Sequence, residues 1–562
     1  MGADYQKLVL DYRRSPDQDR TETPVRHPVV VVGAGPVGLT LAIDLAQRGV
    51  PVVLLDDDDK LSFGSRGLCY AKRTLEIFDR LGCGQRMVDK GVSWNVGRVF
   101  FQDDPVYRFD LLPEAGHRRP AFINLQQYYL EGFLHDHAAG LAGLDIRWRN
   151  KVAGLVRRDD GVELTVDTSD GPYRLRCDYL VACDGSRSPV RGMMGLESRG
   201  RVFRDRFLIA DVKMAADFPT ERWFWFDPPF HRNQSVLLHR QPDNVWRVDF
   251  QLGWDADPEL EKRPERVVPR IRALLGREAD FTLEWVSVYT FACQRMEHFR
   301  HGRVLFAGDS AHGVSPFGAR GANSGVQDAD NLAWKLQLVL AGRAPDRLLD
   351  SYAQERERAA DENILNSTRS TDFITPKSAV SRLFRDAALA LSKDCAFARR
   401  LVNSGRLSVP TVLADSALNT PDAEGDGDAF AGALVPGAPC ADAPVRVGGG
   451  EDGRDDWFLG QLGPDFTVVW FAADTPDPAA LAALADGPVG VKVLAVLPAG
   501  GAAFAAPGLG LCEDAAGLLA ERFDARPGTT YLLRPDQHVC ARWRAFDPDR
   551  IRAALARATG NA

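Results

Sequence analysis

Residues 28–56 constrain this chain more than any other stretch. Pro28-Val29-Val30-Val31-Val32 is a continuous apolar run, the pattern of a parallel strand buried on both faces. Gly33-Ala34-Gly35-Pro36-Val37-Gly38 turns that strand into a helix from Val37 to Arg48, which Gly49 ends. Val52–Leu55 reads as a second strand, closed by Asp56. This is a complete βαβ unit. A pyrophosphate at such a helix N-terminus needs bare backbone N–H groups, so side chains at Gly33 and Gly35 would obstruct it. Gly38 lets helix and strand pack closely, and Asp56 stands where a carboxylate accepts from ribose hydroxyls.

A second block lies about 270 residues downstream. Val304–Ala307 is apolar, and Gly308-Asp309 then opens a turn that runs through Pro316 to Asn323 into an amphipathic helix, Val326–Leu340. A third signal, Asp184-Gly185, follows the strand-like Tyr179–Cys183. Together the three turns predict one extended ligand held at both ends, most simply FAD. Asp309 would meet its polyol chain. The backbone of Pro316, Gly321, Ala322 and Asn323 would face the flavin ring, where reduction adds negative charge. His312 is expected to be structural rather than catalytic. Arg320 reads equally as a positive charge beside the flavin or as a solvated side chain.

Bulk properties exclude other classes. A length of 562 residues predicts two to four domains. A net charge of −8 with no basic tract argues against nucleic acid or an anionic membrane as partner. Nine single cysteines without CxxC or zinc spacing predict reduced thiols and no metal. No apolar run reaches the ~18–20 residues of a membrane span, and the charged first 27 residues carry no leader pattern, so a cytoplasmic location is expected.

Between the turns, Arg73–Leu81 and residues 126–140 have helical spacing, and 144–183 alternate like antiparallel strands. Residues 200–290 are rich in strand formers and aromatics, including Trp223, Trp225 and Phe250, and predict a second, antiparallel sheet. Residues 345–405 read as helical, and 420–456 shift to Gly, Ala, Pro and Asp. From 457 onward a small α/β pattern returns.

The three turns in this order, with Asp-Ala-Asp-Asn-Leu-Ala-Trp-Lys-Leu at 328–336, resemble the single-component FAD-dependent aromatic hydroxylases, class A flavoprotein monooxygenases. Within them the chain is most similar to the phenol hydroxylase and 3-(3-hydroxyphenyl)propionate hydroxylase branch. The resemblance spans about residues 27–405. It places cofactor contacts on Gly33, Gly35, Pro36, Val37, Gly38, Asp56, Arg66, Gln127, Asp184, Gly308, Asp309, Pro316, Gly321, Ala322 and Asn323. Where the family often has Gly-Gly-Gln-Gly-Met-Asn, this chain has Gly318-Ala319-Arg320-Gly321-Ala322-Asn323.

The resemblance implies an α/β fold: an N-terminal arm (1–27), a Rossmann-like FAD-binding domain in two parts (28–195 and 291–410, the latter with helices), an antiparallel substrate sheet (196–290), a linker (411–456) and a thioredoxin-like domain (457–562) that lacks redox cysteines. It also implies a cycle in which NADPH or NADH reduces FAD, O2 adds at C4a, and the terminal oxygen passes to a phenol, ortho being the branch's habit. Tyr289 and His239 are the candidates for activating the phenol. Trp223, Trp225, Phe250 and Pro316 are the candidates for holding its ring, and a homodimer is compatible. Two other readings stay open. Trp223-Phe224-Trp225-Phe226-Asp227-Pro228 partly matches the W-x-W-x-I-P signature of flavin-dependent halogenases, and a flavin-binding protein without turnover would share the same cradle.

Overall fold

The computed structural model describes residues 5–562 except 21, 65–66, 403–406, 423–428, 449–452, 474–480, 482–483, 485–486, 488, 502–503 and 505–507. At its centre is a mostly parallel sheet. In spatial order its main strands are Arg300–His301, Val304–Phe306, Tyr173–Ala182, Val25–Val32, Val52–Leu55 and Leu144–Arg147. Val32 lies level with Leu55 on one side and Ala182 on the other, and Ala182 is level with Phe306. The C-terminal strand ends that carry the three turns therefore lie side by side, the usual place for a ligand in an open α/β sheet. Lys151–Arg158 and Gly161–Asp167 extend Tyr173–Ala182 as an antiparallel meander. Leu144–Arg147, which alternation grouped with them, instead pairs in parallel with Val52–Leu55.

The first strand begins at Val25, earlier than the apolar run indicates. The residues before it pack onto the domain. Tyr5 is buried, stands edge-on to Phe133, and donates to Asp136 Oδ2 at 2.5 Å. Helices Pro36–Gln47 and Gly321–Leu340 lie against each other over the sheet. A Cβ at Gly325 would meet Val37 Cγ2 at 2.6 Å, so glycine there sets how closely the two helices approach.

The second sheet has seven strands, in spatial order Thr282–Tyr289, Arg206–Lys213, Val245–Leu252, Ser235–Arg240, Arg222–Phe226, Val96–Phe101 and Asp104–Asp110. Two of these come from residues 96–110, well before the 196–290 stretch. They form an antiparallel hairpin with each other, and Val96–Phe101 joins Arg222–Phe226 in parallel, a long-range pairing that has no local sequence signal.

Residues 348–402 form the helices Leu348–Ile374, Ala379–Ser392 and Ala396–Val402. The C-terminal sheet reads Arg454–Trp457, Pro444–Val447, Leu509–Asp514, Val491–Pro498, Phe466–Phe471, Thr530–Leu533 and Val539–Trp543, followed by helix Pro548–Ala558. The expected linker contributes two of these strands, and Leu434, Ala438, Ala443 and Val445 are buried in that core. Small and polar residues disguised it. Helix Gly321–Leu340 carries part of the docking contacts. Trp334 Nε1 donates to Asp536 Oδ2 at 3.1 Å, and Asn331 Nδ2 reaches the same oxygen at 3.3 Å. No described helix is long and apolar enough to cross a membrane.

Candidate functional site

The first turn is built to leave donors free. Gly35 is the N-cap of helix Pro36–Gln47, and no side chain caps it. A Cβ at Gly35 would meet nothing within 4 Å. Gly33 serves differently from the expectation. Its φ is +101°, and a Cβ there would strike the Cys183 carbonyl at 2.5 Å, so packing between strands demands glycine. At Gly38 a Cβ would sit 1.8 Å from the Gly33 carbonyl. One glycine thus opens space for a ligand, and two allow the backbone to close. Asp56 Oδ2 accepts from Ala34 N at 2.6 Å and Oδ1 from Asp58 N at 2.9 Å, which locks the turn while leaving lone pairs for a hydroxyl. Burial pushes its carboxyl up.

Asp184 Oδ2 accepts from Val190 N at 3.0 Å, whereas its buried Oδ1 has no partner. Asp309 is exposed to water, yet surrounding protein pushes its carboxyl up by desolvation. Both hold if it lines the floor of a deep cleft. Gly308, at φ +63°, presses on Val37, so Asp309 stands next to the first helix N-terminus.

The last turn, Pro316–Gly318, leads to helix Gly321–Leu340, whose start no side chain caps. Ala319 takes the left-handed conformation at φ 50°. Arg320 is neither solvated nor left to the ligand; it is buried and donates to Asn363 Oδ1 at 2.9 Å. Asn323 spends its side chain on structure: Oδ1 accepts from Ala71 N at 2.8 Å, and Nδ2 donates to Cys69 O at 2.9 Å. His312 is structural as expected, bonded to Asp328 at 2.7 Å and stacked on Phe299. Asp328 also accepts from Gly308 N at 2.9 Å and Arg356 Nε at 2.6 Å; burial raises its carboxyl, but His312, Arg356 and the Gly308 amide together hold it below the usual carboxylate range.

Gln127, expected as a cofactor contact, bonds within the protein through both atoms of its amide. Its Oε1 accepts from Gly67 N at 2.7 Å, and its Nε2 donates to Ser62 Oγ and Glu131 Oε1 at 2.9 and 2.7 Å. The amide therefore orders the segment around residues 62–67. Arg66 lies outside the described residues.

These features fit FAD. Two uncapped helix N-termini, an open Gly35, an orphaned Asp184 oxygen and the desolvated Asp309 carboxyl lie along the same strand ends.

Opposite them stands the second sheet, and its register separates two faces. Trp223, Trp225 and Phe250 belong to the outer face, in one core with Trp246 of the same sheet and with Val267 and Ile271 of helix Pro264–Leu275. The expectation that they hold the substrate ring is corrected: successive strand residues point to opposite faces, and these three fall on the wrong one. This also removes the tryptophans on which a halogenase reading rests. The inward face carries Phe207, Phe224, Phe226, Leu237 and Tyr289, joined by Phe317 from the last turn at 4.6 Å ring separation from Phe207. His239 is on this face too, its pKa pushed down to about 4, first by burial. Burial and the nearby Asp249 push Tyr289 well up, so it keeps its proton. The inward charges Arg222, Arg247 and Asp249 escaped sequence reading. Their signal was a charge at every second residue of an otherwise apolar strand, as in Arg247-Val248-Asp249.

Comparison with known proteins agrees with this geometry. The family model described as FAD binding domain matches residues 26–367. A 6-methylpretetramide 4-monooxygenase of Streptomyces rimosus is 32% identical over 529 residues, covering 92% of this chain and 90% of the relative. A probable NADH-specific resorcinol 4-hydroxylase of Rhodococcus jostii (strain RHA1) is 34% identical over 345 residues, 58% of this chain and 62% of the relative. The fold matches the flavin-dependent monooxygenase PieE, solved with FAD and substrate, at a TM-score of 0.79 and 23% identity, over 96% of this chain and 100% of that one. The chain belongs to the FAD binding domain family and is an FAD-dependent enzyme of the aromatic-hydroxylase kind.

Proposed function

We propose that this enzyme uses NAD(P)H and O2 to hydroxylate a phenolic ring ortho to its hydroxyl. The observation that carries the reading is the inward face of the second sheet: an aromatic wall interrupted by Tyr289 and His239, set opposite the uncapped start of helix Gly321–Leu340. FAD, when bound, would supply the reducing equivalents and oxygen activation. The chain's own residues bind, orient and exclude water. The helix start favours negative charge on the flavin ring. Phe207, Phe224, Phe226 and Phe317 keep the reacting ring dry. Neutral His239 can accept a hydrogen bond from the phenol's hydroxyl, and Tyr289 can donate one to its oxygen. The relatives' names, resorcinol 4-hydroxylase and 6-methylpretetramide 4-monooxygenase, support phenols from one ring to several. The first of them also supports a nicotinamide reductant.

The test is oxidation of NADH and NADPH by the FAD-loaded enzyme across a phenol panel that includes resorcinol, with product mass and H2O2 measured together. Phenol-stimulated oxidation and a product heavier by one oxygen are expected. Oxidation that no phenol stimulates, without hydroxylated product, overturns the proposal and leaves a flavin protein without turnover.

The tail reads as thioredoxin-like without redox function. A parallel pair, Phe466–Phe471 and Val491–Pro498, lies beside an antiparallel pair, Thr530–Leu533 and Val539–Trp543, and a helix follows. All nine cysteines are free thiols, which supports a reducing, cytoplasmic setting. We read the assembly as a homodimer of this chain. Val380, Leu383, Phe384, Leu391, Phe397 and Leu401, each 48–77% exposed, lie on the packed helices Ala379–Ser392 and Ala396–Val402. Together they offer on the order of 700 Å², close to what each partner contributes to a stable interface. Sedimentation of wild type and of Leu383→Glu/Phe384→Glu tests it; a monomeric wild type sinks the reading.

A further inference from the structure

Arg320 is the N-cap residue of helix Gly321–Leu340, and its side chain folds back under the turn that precedes the helix. A Cβ on Gly318 would lie 2.8 Å from Arg320 Nε and 3.0 Å from its Cδ, so glycine at 318 leaves the room that this side chain occupies. Arg320 is only 4% exposed. Its Nη1 donates to Asn363 Oδ1 at 2.9 Å, and Asn363 Nδ2 donates to Ser324 Oγ at 3.2 Å. Ser324 Oγ also accepts from Arg356 Nη2 at 3.1 Å. Two buried guanidiniums are thus tied to the first turn of the helix through neutral side chains.

Among the described residues this network reaches one carboxylate, Asp328, which is already engaged by Arg356 Nε at 2.6 Å, His312 Nε2 at 2.7 Å and Gly308 N at 2.9 Å. An arginine at a helix N-cap runs against the usual choice. That end of a helix favours negative charge, and Ser, Thr, Asp or Asn there would accept from its N–H groups. Arg320 has no oxygen to offer them, and no side chain caps the helix start. Its guanidinium therefore adds positive charge to an end that is already positive. Such a group stays charged through the working pH range. Buried, it acts through a medium of lower dielectric than water, where its field is less screened.

Resting on the reading that this helix start faces the flavin ring, we infer that Arg320 tunes the cofactor: its buried charge, held behind the uncapped N–H groups, favours reduced over oxidised flavin and keeps N1 of the reduced ring deprotonated. Hydride transfer from the nicotinamide delivers two electrons and one proton at N5, and the negative charge that results spreads over N1 and C2=O. Arg320 and the helix start answer that charge together. Arg320 does so from behind the turn, with its own hydrogen bond spent on Asn363, so it is a positioning residue and not a catalytic one.

The test is the two-electron midpoint potential of the bound FAD, measured without oxygen against a reference dye, together with the pH at which reduced N1 loses its proton, read from the reduced-flavin spectrum. Arg320→Met and Arg320→Gln drop the charge. Each should weaken the preference for reduced flavin about tenfold, a fall of about 30 mV for a two-electron couple, and should raise the pH of N1 ionisation at unchanged FAD content. Arg320→Lys keeps the charge and should stay closer to wild type than either. A residue that only packs would lower the melting temperature and leave the potential where it is. A potential unchanged in the neutral variants, an equal fall in Arg320→Lys, or loss of FAD from both neutral variants overturns the role of Arg320 alone. A wild type whose FAD matches free FAD in both potential and N1 ionisation overturns the placement of this turn against the ring as well.

Discussion

Arg534 of the C-terminal sheet and Glu355 of helix Leu348–Ile374 meet as a two-pronged pair, Nη1 to Oε1 at 2.6 Å and Nη2 to Oε2 at 3.1 Å, with both side chains shut off from water. Lys335 joins the same carboxylate at 2.8 Å, and these two cations hold Glu355 well below the usual carboxylate range despite its burial. The tail is thus fastened to the flavin domain by charges whose desolvation only their mutual pairing offsets.

Breaking one partner should therefore hurt more than removing the pair. Arg534→Met leaves Glu355 and Asp536 under-compensated and should cost about 3–5 kcal/mol in denaturant unfolding, whereas Arg534→Met with Glu355→Leu should recover a large part. Equal losses in the single and double variants would refute this account.

The glycines of the first turn should fail in two separable ways. Gly38→Ala places a Cβ 1.8 Å from the Gly33 carbonyl and should prevent folding. The Cβ of Gly35→Val meets no atom of non-neighbouring residues within 4 Å, so unfolding should be nearly unchanged while FAD affinity falls, on the order of tenfold or more. Flavin fluorescence titration beside thermal melts separates the two; a Gly35→Val protein that holds FAD as tightly as wild type would remove the pyrophosphate from this turn.

The two faces of the second sheet predict opposite phenotypes. Trp225→Ala empties the outer core and should lower stability by about 3–5 kcal/mol. Phe224→Ala changes the inward wall and should raise the H2O2 released per NAD(P)H consumed, with a smaller loss of stability. Peroxide yield and melting temperature, read on both variants, decide it.

Asp442 gives a pH signature. It lines a cleft of about 390 Å³ between the flavin domain and the tail, and burial pushes its carboxyl up to about 6. A raised carboxyl binds its proton more tightly folded than unfolded. Its contribution is therefore complete below the unfolded value near 4 and is lost as pH climbs to about 6. Asp442→Asn should raise the melting temperature at pH 7–8, by an amount worth about 1–3 kcal/mol, and leave it unchanged near pH 4. An equal effect at both pH values would show that the charge is not the cause.

The parts of this molecule legible in its sequence are those written in turn chemistry. Gly33–Gly38, Asp184-Gly185 and Gly308-Asp309 each need particular backbone freedom or a particular acceptor, so composition betrays them. The substrate face was less readable because both sides of its sheet are aromatic. Trp223 and Phe224 are neighbours in sequence yet serve opposite layers, and only the pairing with Leu237 and Leu238 reveals which is which. Gln127 and Asn323 show a different limit. Their positions at helix starts were found, but their amides are consumed by Gly67, Ala71 and Cys69, contacts that tertiary folding alone supplies.

Ala319 remains, a left-handed residue that is not glycine. Alanine resists that conformation by roughly 1 kcal/mol, but it also has far fewer shapes to wander through than glycine. The turn before the flavin-facing helix therefore gives up ease for stiffness. Donors mounted on a stiff hinge are already aimed when charge develops in front of them, and a ring that needs a slightly different fit is refused rather than accommodated.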